Sequence, residues 1–89
     1  MKAIITVIGV DKVGIIASIS QTLADFEINI EDVNQTIMGG QFTMMMLVDL
    51  KKSLVEFDSI QSDLIQLGCS LDLSIRIQRE EIFKSMHQV

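Results

Sequence analysis

Residues 28–50, INIEDVNQTIMGGQFTMMMLVDL, carry the stretch that decides the fold. Apolar side chains fall at Ile28 and Ile30, then at Val33 and Ile37, so the parity of the pattern switches around Glu31-Asp32. A side-chain period of two cannot change parity without an extra residue, so a β-bulge is expected there to return the apolar side chains to one face. Gly39-Gly40 then supplies two consecutive residues free to adopt positive φ, the requirement of a tight hairpin turn. The segment therefore predicts a strand over 28–38, a two-residue turn and an antiparallel strand over 41–50.

Outward from this hairpin the chain repeats one unit on each side. Residues 2–10, KAIITVIGV, are rich in β-branched residues and read as a central strand. Ile16, Ile19, Leu23 and Phe26 follow at spacings that place them on one stripe of a helix, with Asp11 expected as its cap. After the hairpin, Ser53 and Glu56 have the spacing of a capping box, Phe57, Ile60, Leu64 and Leu67 repeat the helical stripe, and Gly68 is placed to end it. Residues 69–79 alternate, with Cys69, Leu71, Leu73, Ile75 and Ile77 against polar neighbours, which predicts a fourth strand. The order βαββαβ predicts an α+β, ferredoxin-like sandwich, a four-stranded antiparallel sheet in order 4-1-3-2 with two helices on one face. Residues 1–79 form this domain, and 80–89 form a short C-terminal helical tail with Ile82, Phe83, Met86 and Val89 on one side.

The second face of that sheet carries Ile4, Thr6 and Ile8 beside Thr43, Met45 and Leu47, more apolar than a surface left to water. The tail helix and a second copy of the chain are both expected to cover it.

Composition narrows the function. The 89 residues, 9.9 kDa, are 48% hydrophobic and 21% charged, with a net charge of −5. That is one folded domain, and its scattered cations leave no basic stripe for a nucleic-acid backbone. One cysteine permits no internal disulfide, and no apolar run approaches the roughly 18 residues of a membrane span, so a cytoplasmic protein away from membranes is expected. Cys69 is expected to be buried and inert.

No catalytic constellation emerges. Met44, Met45 and Met46 are consecutive on a strand and diverge, which favours packing over metal binding. The adjacent acids Glu31-Asp32 and Glu80-Glu81 make no dyad, and the single His87 reads as a surface or interface residue. Within ferredoxin-like folds, a heavy-metal carrier would need a CxxC after the first strand. An RNA-recognition domain would need stacking aromatics on the first and third strands, where only Phe42 stands. An acylphosphatase would need an arginine near the first loop, and none precedes Arg76.

What stands in that loop is Gly9-Val10-Asp11-Lys12-Val13-Gly14-Ile15, and Asn29-Ile30 opens the second strand. In these residues the chain resembles the ACT domain, a small-molecule-sensing regulatory module, over residues 2–79. Its length and tail are similar to the free-standing bacterial group related to the glycine cleavage system repressor. Val13 departs from the pattern, standing where proline is common. The resemblance implies ligand contacts from Asp11, Lys12, Val13, Gly14, Ile15, Asn29 and Ile30, with the site shared between two copies. An amino acid suits it, because the first N–H groups of a helix attract a carboxylate and Asn29 offers both donor and acceptor. Gly14 serves either close approach of a ligand or tight packing of helix on strand.

The sequence thus leads to a non-enzymatic regulatory module without metal or cofactor. It acts as a homodimer that binds a small metabolite, most plausibly an amino acid, and signals through a regulatory protein partner. The alternative is a ligand-free interaction module that docks on another regulator, in transcription control for example, through its sheet face or tail helix.

Overall fold

The computed structural model describes residues 1–86. The expectations for His87, Val89 and the side chain of Met86 lie outside the described residues.

The chain runs β1 (Lys2–Val10), α1 (Ile15–Asp25), β2 (Asn29–Met38), β3 (Gln41–Asp49), α2 (Phe57–Leu71), β4 (Leu73–Arg79) and α3 (Glu80–Met86). The sheet order is β2-β3-β1-β4, with every neighbouring pair antiparallel, as expected. The parity switch is resolved as foreseen: the β2–β3 register shifts between Ile30 and Asp32. Gly39 and Gly40 both take positive φ, 58° and 80°, the geometry of a type I′ hairpin.

One face of the sheet and two helices enclose the core. Ala3, Ile5 and Val7 of β1, Phe42, Met44, Met46 and Val48 of β3, and Leu73, Ile75 and Ile77 of β4 are buried against Ile19, Leu23, Ile60 and Leu64. Among the described residues no polar or charged one is buried with them. Burying a Leu or Ile side chain contributes roughly 1.5–3 kcal/mol, so this layer dominates stability. The methionine triplet splits by strand parity: Met44 and Met46 enter the core and Met45 points to the other face.

Several local expectations are corrected. Asp11 does not cap α1; Gly14 occupies the N-cap at φ 91° and no side chain bonds there. The buried stripe of α1 runs through Ile15, Ile19 and Leu23, while Ile16 stays 42% exposed. Ser53 makes no capping box with Glu56, since its hydroxyl and the Val55 backbone form a local turn instead.

The largest change lies at 68–72. Helix α2 continues through Gly68 and Cys69 to Leu71 and ends at Asp72, whose φ of 58° lets the chain turn into β4. Cys69 is therefore helical and exposed rather than buried in a strand. Gly68 is not a cap but the point where α2 presses on β4. A Cβ there would lie 2.6 Å from the Leu73 carbonyl oxygen and 3.1 Å from Ile75.

This contact yields an expectation opposite to helix propensity. Alanine normally stabilises a helix interior over glycine by up to about 1 kcal/mol. Here Gly68→Ala must push backbone away from backbone, and denaturant unfolding is expected to show a net loss of about 1–3 kcal/mol. A variant as stable as the parent, or more so, would refute the close approach.

Candidate functional site

The loop after β1 lies at the end of the sheet where β1, the start of β3 and the end of β2 come together, with Val10 paired to Gln41 and Gln41 to Met38. The Asp11 backbone N–H donates to the Gly40 carbonyl at 2.9 Å, tying the loop to the hairpin turn. Glycine at 14 is explained by its φ of 91°, with nothing within 4 Å of where a Cβ would stand. The packing role is thereby excluded, and the space above Gly14 is open.

Ser18 N–H donates to the Gly14 carbonyl at 2.9 Å, closing the first turn of α1. The N–H groups of Ile15, Ile16 and Ala17 precede it and have no intrahelical acceptor. They border a shallow pocket of about 220 Å³ with Asp11, Lys12 and Gly14 on one side and Gln35, Ile37 and Phe42 on the other. A carboxylate is favoured at such a helix start, and Lys12 and Asp11 add charges of opposite sign, an arrangement matched to a zwitterion.

Val13 is fully exposed and does not line this pocket. Asn29 and Ile30 are not here at all. Strand β2 runs parallel to β1, so its first residue lies at the far end of the sheet, paired with Asp49. The 10-residue strand separates the two places by about 30 Å at roughly 3.3 Å per residue. Asn29 lines a second pocket of about 270 Å³ with Glu27, Asp49, Lys51 and Lys52. Ile30 packs at the margin of the core.

Of the seven predicted residues, the structure thus gathers Asp11, Lys12, Gly14 and Ile15 and leaves the others elsewhere. Sequence reasoning missed Ile16 and Ala17 in the first turn of α1, and Gln35, Ile37 and Phe42 across from it. The signal was available, since the turn at Gly39-Gly40 returns the chain beside the first loop and brings the end of β2 with it.

Near Asn29, Lys2 bonds Glu31 at 2.9 Å. That hydrogen bond and the attraction behind it raise the Lys2 pKa above its ordinary 10.5. The stabilisation is therefore full below the unfolded value and fades only as pH rises through the folded one, leaving the neutral range unaffected. Among the described residues no group of His, Cys, Asp and Glu could hold a metal ion, and no helix is long and apolar enough to cross a membrane.

Fold and loop together define a class: a two-layer βαββαβ domain with an anion-favouring helix start at the end of its central strand. The ACT domain family model matches residues 2–78, and the chain belongs to that family, whose domain is typically a ligand-binding regulatory module. A UPF0237 protein of Clostridium acetobutylicum is 57% identical, and the match covers 100% of both chains. The structure of an ACT domain protein from Streptococcus pneumoniae superposes with a TM-score of 0.82 at 39% identity, covering 94% of each chain. A chain assigned as a glycine cleavage system transcriptional repressor superposes with a TM-score of 0.74 at 24% identity, over 86% of this chain and 44% of that one. At that identity the likeness is one of fold.

The left-handed turn at Gly14 sets up the pocket, and a side chain there carries a strain of about 1–2 kcal/mol. Gly14→Ala is expected to lower the melting midpoint by roughly 5–10 °C for a domain this small. An unchanged midpoint would show that the loop does not need the positive φ.

Proposed function

We propose that the chain is a sensor of a free amino acid, built as a homodimer through β2, with each ligand site shared between two copies. The observation that carries this reading is the separation of the loop at 11–15 from Asn29 by the whole length of an exposed edge strand. Every residue of β2 except Ile30 is exposed, and an unpaired edge is a template for another strand.

A two-fold axis normal to the sheet and near Val33 and Asn34, midway along β2, would pair the strand with its copy antiparallel. Asn29 of one copy would then reach the end of β2 in the other, beside the partner's loop and helix start. The apolar side chains on that edge support this arrangement. Ile16, Val33 and Ile37 are 42%, 44% and 54% exposed, and pairing would cover them. In such a seam the ligand carboxylate meets the N–H groups at the start of α1, Asp11 holds the ammonium group, and Asn29 of the partner copy reads the remainder. Ligand binding would tighten the seam and alter the surface offered to a regulatory protein in the cytoplasm.

Sedimentation is expected to give twice the 9.9 kDa of one chain. Val33→Lys combined with Ile37→Lys should yield a folded monomer. In thermal melts followed by circular dichroism, one or a few amino acids should raise the midpoint by several degrees, since about 100 times the Kd adds roughly 2.7 kcal/mol. Asn29→Ala should abolish that shift and leave the dimer intact. If no amino acid moves the midpoint of the dimer, the sensor reading fails and docking on another regulator explains the fold better.

A further inference from the structure

The sheet face turned away from α1 and α2 carries a groove of about 560 Å³ that Phe83 of α3 also lines. Helix α3 packs on β1 and β4, so part of this face is covered by the chain itself, as the tail was expected to do. The groove remaining has the volume of a small-ligand site, typically 300–1,000 Å³. It lies on the opposite layer from the helix start of α1, and neither pocket shares a residue with the other.

Its walls differ in chemistry. Strand register places Arg76, Thr6 and Met45 in one row across β4, β1 and β3, with Ser74 and Ile8 in the adjacent row. Ile8 and Met45 are 44% and 37% exposed, apolar surface that lines the groove together with Phe83. Arg76, on β4, lines the same groove. Lys2, also on this face, is held by Glu31, but Arg76 enters no ion pair or hydrogen bond among the described residues. In a chain with 12 Asp and Glu against 7 Lys and Arg, an exposed arginine without an acid among the described residues is available to an anion from solution. Its planar fork fits a carboxylate with two parallel hydrogen bonds, and the Ser74 hydroxyl adjoins it.

We propose that this groove is a second ligand site, for an amphipathic monocarboxylate whose head sits on Arg76 and Ser74. Its apolar body crosses β1 toward Ile8 and Met45. The span from β4 to β3 is two strand spacings, about 10 Å, which a medium-length alkyl chain fills. An amino acid bound at the start of α1 is a different ligand at a different place, so the two sites stand or fall separately.

The test is a titration of the ¹⁵N-labelled protein with octanoate, with 1-octanol and butyrate as comparisons, followed by amide shifts. Octanoate is expected to move Ser74, Arg76, Ile8 and Met45 saturably. Octanol, lacking the charge, and butyrate, lacking the chain, should each bind at least about tenfold more weakly. Arg76→Gln should weaken octanoate by about tenfold or more without changing octanol, and Ile8→Ser should weaken both. Thermal melts check that each variant is folded, and Asn29→Ala should leave octanoate binding untouched. Equal binding of octanoate and octanol, shifts confined to other surfaces, or an Arg76→Gln variant that binds octanoate like the parent would each overturn the site.

Discussion

The structure depends on the burial of β1 at the centre of the sheet. Ala3, Ile5 and Val7 have no exposed surface, and the strand is paired on both sides, with β3 and with β4. Because alternate residues of β1 are committed to the core, its register with both neighbours is set: a slip by one residue would exchange Ile5 and Val7 for Thr6. The other consequences follow in order. The end of β1 fixes where the loop at 11–14 begins, and the loop fixes where α1 starts. The residues left on the reverse side of β1, Thr6 and Ile8, become the floor of the open groove. One strand therefore places two of the concavities, one at its end and one on its back.

The elements legible in the sequence were those whose signal is local and period-based. The bulge at Glu31-Asp32 could be read because a parity change admits no other explanation in a strand. The hairpin could be read because two adjacent glycines remove the penalty for positive φ at both positions. The alternation of Leu73, Ile75 and Ile77 was equally secure. Segment 68–72 was misread because Gly68-Cys69-Ser70-Leu71 satisfies two patterns at once. Cys69 and Leu71 continue the alternation of β4 backward, yet the same residues extend the last turn of α2. What decides between them is not local: Gly68 is the only residue type that lets the helix come within contact of Leu73 and Ile75, and that contact holds the extra turn in place. Asp72 then takes the left-handed conformation, which Asp tolerates better than most residues.

The candidate site was half legible for a related reason. Asp11, Lys12, Gly14 and Ile15 are adjacent in sequence, and adjacency is enough to predict that they share a loop. Gln35 and Ile37 reach the same pocket only through the sheet order, which places the end of β2 near the end of β1 with β3 between. Asn29 was grouped with the loop by resemblance, and its position at the opposite end of β2 is what a parallel relation of β1 and β2 requires. A list of site residues read along a chain carries no information about which copy supplies each of them.

That distinction bears on how a sensor of the proposed kind would transmit its signal. A site completed by a second copy binds ligand only in the dimer, so ligand affinity and dimer affinity are linked, and each must strengthen the other by the same factor. The loop is well placed for such coupling, because the Asp11 N–H is bonded to Gly40 at the hairpin turn, and the strand leading into that turn is β2 itself. In the proposed sensor a displacement of Asp11 by ligand would therefore be felt at the edge that would form the seam, without passing through the buried core. The core is close-packed and holds no polar side chain among the described residues, so it resists deformation and serves as the fixed frame. In a sensor of this kind movement would fall to the loop, the turn and the exposed edge, outside the packed core.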